Sequence, residues 1–326
     1  MAMKALQITR GGSLSISTLP IPTPKAGQAL IKVSYACIHP SDRLNAQGLF
    51  PSTTLPRVPG RDFSGVVIET NPTSNWIGKE VYGTSGSSLG FTSDGTHAQY
   101  ICVPQDALVK KPFALSMLQA AMVGVPFTTA LICLRKAAVS SSDNVLVVGS
   151  TGAVGSTAVQ IVRVMGCEVV LTAARRKEAK PDIVVSGANP ADIGSTIEKM
   201  TDGRGVDVVV DTVVDTVGDL AVMGAAVEKL ARKGRYVWIA APRGEASKRL
   251  SFDIFQAYRK ELTLAGCNSV SPTIEDTAEL LRFLEDWVEK GFVRAQDEAS
   301  FKIVTLDNII QDGYERPGEK VVVKMG

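Results

Sequence analysis

The sequence has no apolar run long enough to cross a membrane and no excess of charge of either sign. Its longest apolar stretches, such as 145–148 and 206–210, have the length of strands, far short of the roughly 18 residues that a membrane span requires. The net charge is +2, from 35 basic and 33 acidic side chains. It lacks the excess of positive charge that binding to nucleic acid or to an anionic membrane requires. The N-terminal segment lacks the apolar core of a secretory signal. These absences predict a cytoplasmic protein.

Histidine and cysteine are also scarce among the 326 residues, with two histidines and five cysteines. The cysteines are widely separated and form no CxxC pair, which argues against a disulfide scaffold and against a four-cysteine zinc site. A histidine-based metal site would have to use both His39 and His97. The composition therefore predicts that no metal is bound.

The first 122 residues and the next part of the chain differ in pattern. Alternating apolar runs at 29–35 and 64–69 stand among proline and glycine clusters, which is typical of an antiparallel, barrel-like body. From about residue 123, short apolar strands alternate with helical stretches, which predicts a parallel, doubly wound sheet. The predicted strands are 144–148, 168–172, 183–185, 206–211 and 235–240, and the predicted helices are 152–165 and 219–231. A further strand (262–265), a long amphipathic helix (273–290) and a last strand (320–324) end the chain.

The sequence GSTGAVG at 149–155 lies between a predicted strand and a predicted helix. Gly149 permits a tight turn, Gly152 lets a diphosphate approach the backbone, and Gly155 allows the helix to pack closely on the strand. The helix N-terminus then offers free N–H groups and a partial positive charge to phosphates. This context predicts dinucleotide binding, with a purely structural glycine turn as the alternative. The residues expected to contact the diphosphate are Ser150, Thr151, Gly152, Ala153 and Val154.

The next strand leads into Ala173 and then into three consecutive cations, Arg175, Arg176 and Lys177. A site for NAD usually has an Asp or Glu here, which accepts hydrogen bonds from the ribose hydroxyls. Cations suit the 2′-phosphate of NADPH instead. The sequence therefore predicts NADPH as the cofactor, with a solvated charge run as the alternative.

Further landmarks are spread over nearly the whole chain: IKV at 31–33, HPSD at 39–42, PGRDFSGV at 59–66, DGTHAQY at 94–100, GVPFTTA at 124–130 and GEKVV at 318–322. Together with the glycine motif they resemble the zinc-independent quinone oxidoreductase and enoyl reductase branch of the medium-chain dehydrogenase/reductase superfamily. The resemblance implies an α/β protein with a GroES-like, β-rich catalytic domain (1–122 and 261–326) and a Rossmann domain with a doubly wound parallel sheet (123–260). It also implies a small-molecule substrate in the cleft between the domains and a possible homodimer joined near 262–267.

The resemblance also assigns roles to single residues. Zinc-dependent relatives hold their metal with a Cys and a His–Glu pair, but His39 and Arg61–Asp62 stand at those positions. His39, where the zinc-independent branch often has Asn, is the candidate for a hydrogen bond to cofactor or substrate or for proton donation; a packed histidine is the alternative. Thr128 is expected near the nicotinamide, or else is an ordinary helix-start threonine. Further cofactor contacts are expected at the ends of parallel strands and in the closing landmark: Ala240, Ala241 and Pro242, then Cys267 and Asn268, and Lys320.

Together these features predict an NADPH-dependent reductase that transfers a hydride to a quinone, an enone or another activated alkene without zinc. The cofactor would supply the hydride chemistry, and the protein would orient the partners and polarise the carbonyl. Two alternatives stay open. One is an NADPH-dependent carbonyl or alcohol oxidoreductase on the same scaffold, and the other is an NADPH-binding protein with little or non-redox activity.

Overall fold

The computed structural model describes residues 1–70, 74–185, 190–213, 220–241 and 248–326. The chain divides into two compact units. The first unit comprises Met1–Thr128 and Val270–Gly326, and the second unit comprises Thr129–Ser269. Within the described ranges, no helix combines the length and the apolar character needed to span a bilayer.

The strands and helices follow the alternation expected from the sequence. The strands are β1 (Ala2–Ile8), β2 (Leu14–Pro20), β3 (Gln28–Ile38), β4 (Asp62–Glu69), β5 (Glu80–Gly83), β6 (Tyr100–Pro104), β7 (Val109–Lys110), β8 (Val145–Val148), β9 (Val170–Ala174), β10 (Ile183–Val184), β11 (Val206–Asp211), β12 (Leu230–Trp238), β13 (Thr263–Gly266), β14 (Lys302–Thr305) and β15 (Val321–Lys324). The α-helices are α1 (Pro40–Ala46), α2 (Met117–Ala120), α3 (Gly124–Lys136), α4 (Ala153–Val164), α5 (Pro190–Met200), α6 (Leu220–Glu228), α7 (Ile254–Lys260) and α8 (Ile274–Glu289). Short 3₁₀ turns (Gln105–Ala107, Lys177–Ala179, Glu298–Ser300, Leu306–Asn308) and a π-helical turn (Ile310–Tyr314) complete these elements.

The first unit is built on an antiparallel sheet, as its alternating pattern predicts. Its strands run in the order β14-β15-β3-β4-β5-β7, with β6 also paired to β3, and β1 pairs separately with β2. Only β14 and β15 pair in parallel among these described strands. The long helix α8 begins at the predicted place because the Thr273 hydroxyl accepts the Asp276 N–H while the Asp276 carboxylate accepts the Thr273 N–H. Its apolar stripe, including Leu281 and Leu284, is fully buried.

The second unit is built on a parallel sheet with the strand order β10-β9-β8-β11-β12-β13. Every pairing in this sheet is parallel. Numbered from β8, the order is 3-2-1-4-5-6, which is the order of the Rossmann fold. The strands read as continuous apolar runs because helices cover a parallel sheet, and β8 and β11 are buried along their whole length. The predicted fold class is confirmed.

Several predicted boundaries differ from the structure, and strand pairing explains two of them. The helix predicted at 219–231 ends at Glu228, and its predicted first residue lies outside the described ranges. Leu230 satisfies the helical spacing, but it starts the long strand β12 by pairing with Val206. The domain boundary predicted at 261 lies before β13, whereas the second unit extends to Ser269. The reason is that β13 completes the parallel sheet by pairing with β12.

Candidate functional site

The glycine turn follows β8 in the second unit and leaves no room for a side chain at Gly149 or Gly155. Gly149 has a φ of +82°, and a Cβ there would collide with Thr212 Oγ1 and Val213 Cγ1. A Cβ at Gly155 would lie 2.7 Å from the Gly149 carbonyl carbon and 3.0 Å from Ser150 Cα. Both positions therefore require glycine, the first for its backbone conformation and the second for the close approach of α4 to the turn.

The N-terminus of α4 is open to a ligand. Gly152 is its N-cap residue, and no side chain caps the helix. The first N–H groups of a helix lack intrahelical partners, and they carry the positive end of the helix dipole. The amides of Ala153 and Val154 thus have the chemistry that a diphosphate requires. A dinucleotide fits this turn.

Ala173 and Ser150 hold the turn rather than face outward from it. The Ala173 carbonyl accepts the Gly149 N–H at 2.8 Å, the Ser150 N–H at 3.1 Å and the Ser150 hydroxyl at 3.2 Å. These bonds join the end of β9 to the end of β8. The carbonyl of Ala173 and the hydroxyl of Ser150 therefore act as supports of the glycine turn, while Thr151 stays half-buried within it.

The three predicted cations follow β9 directly. Arg175, Arg176 and Lys177 are all exposed. Within the part of the chain that the structure describes, none of the three side chains forms a hydrogen bond or ion pair. One 3₁₀ turn connects β9 to β10, and its ends are tied where the Thr172 N–H and hydroxyl donate to Asp182 Oδ2 at 2.8 and 2.7 Å. The guanidinium groups are available for a phosphate at this strand end.

The ends of β12 and β13 carry the other cofactor contacts predicted in the second unit. Ala240 is half-buried and Ala241 is exposed, whereas Pro242 lies outside the described residues. Cys267 directly follows β13, and its N–H donates to the Trp238 carbonyl at 2.7 Å. The exposed Asn268 comes next. These residues lie at the carboxyl ends of adjacent parallel strands, where dinucleotides bind in open α/β sheets.

A thiol pair at this edge was not expected from the sequence. Cys133 of α3 is fully buried, and its thiol shares a hydrogen bond with the thiol of Cys267. This hydrogen bond lowers the pKa of Cys267, while burial raises it; the bond and burial both raise the pKa of Cys133. The scattered positions of the cysteines gave no signal for the pairing, because residues 134 positions apart meet only in the folded sheet.

In the first unit, His39 lies in a buried ion pair. Its Nε2 is 2.7 Å from Asp62 Oδ2, and only 8% of the His39 side chain is exposed. Burial lowers the pKa of His39, but the neighbouring Cys37 and the Asp62 carboxylate raise it, and the net result is well above the usual histidine value. The Nε2 proton of His39 is donated to Asp62, and this pairing favours the imidazolium form of the ring.

Asp62 also accepts hydrogen bonds from the start of α3. The Val125 N–H lies 2.9 Å from Oδ1 and 2.8 Å from Oδ2 of this carboxylate. The hydroxyl of Thr128 donates to the Gly124 carbonyl at 2.8 Å, and Thr128 is almost fully buried. Its hydroxyl proton is thus used within the helix, as in the alternative role of an ordinary helix-start threonine.

Arg61 and Asp42 are buried beside this pair. Arg61 donates from Nε to Ser85 Oγ at 2.8 Å and from Nη1 to Ser41 Oγ at 3.3 Å. Asp42 accepts the His39 N–H at 2.7 Å at the start of α1. At the positions that the resemblance matches to zinc ligands, His39 and Asp62 are thus bonded to each other, and the Arg61 guanidinium is not a metal ligand. Among the described residues, no three His, Cys, Asp or Glu side chains are grouped to hold a metal.

His97 and Lys320 have partners of their own in the first unit. His97 Nε2 donates to the Cys37 carbonyl at 3.2 Å, and Nδ1 accepts the Tyr314 hydroxyl proton at 2.9 Å. Burial lowers the pKa of His97, so this ring is a neutral, structural one. The Lys320 ammonium lies 5.5 Å from the centre of the Phe301 ring.

Comparisons with known proteins agree with this architecture. A family described as "Alcohol dehydrogenase GroES-like domain" matches residues 25–113, and one described as "Zinc-binding dehydrogenase" matches 153–286. A zinc-type alcohol dehydrogenase-like protein of Schizosaccharomyces pombe is 42% identical over 292 residues, which are 89% of this chain and 85% of the relative. A quinone oxidoreductase of Sus scrofa is 28% identical over 90% of this chain and 88% of its own length.

A solved structure of similar fold is that of an alcohol dehydrogenase superfamily protein from Novosphingobium aromaticivorans. It superimposes with a TM-score of 0.81 over 99% of this chain and 100% of its own, at 24% sequence identity. This likeness concerns the fold, whereas the S. pombe relative and the two family matches carry the relationship in sequence. On the strength of both unit folds and these matches, the chain belongs to the medium-chain dehydrogenase/reductase superfamily.

Proposed function

We propose that this member of the superfamily is an NADPH-dependent reductase that transfers a hydride to a quinone, an enone or another activated alkene without zinc. The observation that carries the proposal is the buried His39–Asp62 pair, which stands at metal-ligand positions in a chain that keeps the glycine turn. A buried imidazolium supplies positive charge without a metal. The quinone oxidoreductase of Sus scrofa, similar over most of both chains, supports this substrate class.

NADPH, when bound, supplies the hydride. The chain contributes binding through the uncapped N-terminus of α4, and the exposed Arg175 and Arg176 are suited to the 2′-phosphate. His39 is proposed to stabilise the negative charge that develops on the substrate carbonyl as the hydride arrives. Asp62 keeps the Nε2 proton of His39 in place during this step.

A second candidate is an NADPH-dependent carbonyl or alcohol oxidoreductase. The observation that favours it is the 42% identity to the S. pombe protein named as zinc-type alcohol dehydrogenase-like. The two candidates differ in the acceptor of the hydride, which is a carbonyl carbon in one case and an activated alkene or quinone in the other. A third candidate is a protein that binds NADPH through the glycine turn and the cations but catalyses no reaction.

The test follows the absorbance of reduced nicotinamide with purified protein. NADPH and NADH are each supplied with quinones, enones, aldehydes and ketones, before and after treatment with a strong zinc chelator. Oxidation of NADPH by quinones or enones, with NADH much poorer and the chelator without effect, is the expected result. Turnover of aldehydes or ketones alone supports the second candidate. Tight NADPH binding without turnover of any substrate contradicts both enzyme assignments.

The predicted homodimer and cytoplasmic location remain proposals beside this function. β13 lies at an edge of the six-stranded sheet. Ile254, Phe255 and Tyr258 of α7, in the same unit, are between 66% and 73% exposed. An open strand edge and apolar surface are features that pairing with a second copy would cover. Light scattering coupled to gel filtration gives the mass that decides between monomer and dimer.

A further inference from the structure

We propose that Asp62 is a positioning residue of this reductase, which fixes the His39 ring and the first turn of α3 in one arrangement. The inference rests on the proposed function and extends it to a residue that is not expected to touch the substrate. Asp62 is fully buried at the start of β4. Its role would be exerted through the groups that it holds.

One carboxylate joins two elements that are distant in sequence. Asp62 Oδ2 lies 2.7 Å from His39 Nε2 and also accepts the Val125 N–H at 2.8 Å, while Oδ1 accepts the same N–H at 2.9 Å. The loop before α1 and the start of α3 are therefore bound to a single side chain. Both groups donate to Asp62, so this carboxylate is the shared acceptor that holds them together.

The start of α3 packs closely against the Asp62 side chain. A Cβ at Gly124 would lie 2.6 Å from Asp62 Oδ1 and 2.8 Å from Thr84 Cβ, so the start of α3 is in close contact with the carboxylate. Thr128 follows one turn later, and its hydroxyl is bonded to the Gly124 carbonyl. A shift of Asp62 would thus move both His39 and the turn that carries Thr128. These are the two residues of the first unit, besides Lys320, for which the sequence predicts contact with cofactor or substrate.

The charges around the ring fit this role. His39 is faced by Cys37 from β3 and Asp62 from β4, and its backbone N–H is held by Asp42 of α1. Arg61 and His97 also act on this group of charges. The Asp42 and Asp62 carboxylates are thus balanced by the Arg61 guanidinium and the His39 ring. The raised pKa of His39 agrees with this balance.

The two histidines of the chain make a direct test possible, because the ¹⁵N spectrum of the imidazole rings contains only two sets of signals. Asp62→Asn keeps the shape of the side chain but replaces one acceptor with a donor. At about pH 8, above the usual histidine pKa of ~6.5, we expect the wild-type His39 signals to be those of an imidazolium. In Asp62→Asn they should become those of a neutral ring, while the His97 signals stay unchanged.

Asp143→Asn serves as the matched control. Asp143 is also buried and paired, with Arg235 at 2.5 Å, but it belongs to the second unit. We expect this variant to leave both histidine signals and the kinetic constants unchanged. Asp62→Asn should lower kcat by about 100-fold, which is typical of a misplaced reacting geometry, with KM for NADPH within about threefold of wild type.

A second variant keeps the proposal testable if Asp62→Asn does not fold. His39→Asn leaves the bond between Asp62 and Val125 in place, and its kcat should fall by about the same 100-fold, because His39 is the group that Asp62 positions. An unchanged kcat in His39→Asn would overturn the proposal. Where Asp62→Asn does fold, the double variant should fall no further than either single variant, since residues acting as a unit are not additive. Unchanged His39 signals together with unchanged kcat in Asp62→Asn would overturn the proposal, as would additive effects in the two single variants. If the His39 signals shift in Asp62→Asn but the wild-type protein turns over no substrate, the positioning of His39 by Asp62 stands and the proposed reductase function is refuted.

Discussion

The glycine turn of the second unit comes from seven consecutive residues. The buried charge group of the first unit (His39, Asp42, Arg61 and Asp62) comes from two separate segments and is bonded to a third at Val125. The turn acts through backbone amides and through the absence of side chains at Gly149 and Gly155. The charge group acts through side chains, with His39 and Asp62 linked to the backbone of Val125. A phosphate site can therefore be encoded locally, while an imidazolium held in a dry interior depends on residues that only folding brings together.

The two regions also respond differently to substitution. A side chain at Gly155 would overlap fixed backbone atoms, which no rearrangement of side chains relieves, and one at Gly149 would be strained by the positive φ. Substitution of a residue in the charge group leaves its partner buried and unpaired. The resulting loss of stability depends on whether that partner is protonated. The destabilisation caused by a substitution in the turn should therefore not change with pH, whereas that caused by a substitution in the charge group should.

The largest effect is expected from Gly155→Ala. The added Cβ meets the Gly149 carbonyl and Ser150 Cα, so the turn must open or α4 must shift. Overpacking of this kind costs about 3 kcal/mol of stability, and dinucleotide binding should be lost with it. Chemical denaturation and titration with NADPH measure both effects. Binding that survives in a fully folded variant would show that the turn does not form the phosphate site.

Removal of two cations should give the next largest effect and confine it to the cofactor. Arg175→Ala with Arg176→Ala should weaken NADPH binding by about a hundredfold and leave NADH binding nearly unchanged, because only NADPH carries the 2′-phosphate. Lys199→Ala, another exposed cation of the second unit, is the control. Equal loss for both cofactors would contradict the assignment of these arginines, and isothermal titration calorimetry distinguishes the outcomes.

The two histidines should give opposite dependences of stability on pH. The pKa of His39 is raised, so its contribution is complete below the unfolded pKa of ~6.5 and declines as pH rises through the folded pKa. The pKa of His97 is lowered, so its contribution is complete above ~6.5 and declines as pH falls toward the folded pKa. Each unit of difference is worth about 1.4 kcal/mol.

Urea unfolding of His39→Asn and His97→Asn across this pH range checks the signs. Relative to wild type, the destabilisation of His39→Asn should shrink toward alkaline pH, and that of His97→Asn should shrink toward acidic pH. Parallel curves for the two variants would show that the buried charge group does not hold His39 as an imidazolium.

The smallest effect, of opposite sign, is expected from Gly224→Ala. Gly224 lies within α6, and an added Cβ would meet only Leu250 Cδ1, at 3.9 Å. Because alanine is the better helix former, the variant should be more stable by about 0.5–1 kcal/mol. The midpoint of thermal unfolding measures it. This variant isolates steric overlap as the reason why Gly155 cannot be replaced, since both glycines lie in helices of one unit.

Much of the second unit could be predicted from patterns of neighbouring residues. The apolar run of β11 was located with its observed bounds. In the first unit, the amphipathic pattern located Thr273 as the start of the long helix. The spacing of Leu230 could not distinguish the end of a helix from the start of a strand, and pairing with Val206 decided it. The hydrogen bond between Cys133 and Cys267 had no local signal at all.

The sequence by itself determined the glycine turn, the run of cations after β9 and the order of strands and helices, because each depends on backbone preferences and periodicity within a few residues. Only the tertiary structure decided that Asp62 pairs with His39 and that the same carboxylate accepts a hydrogen bond from the first turn of α3. It also decided that the pKa of His39 is raised while that of His97 is lowered. The charge state of a buried group is set by burial and by the partners that surround it. Those partners come from distant segments, and the chain must fold before they meet.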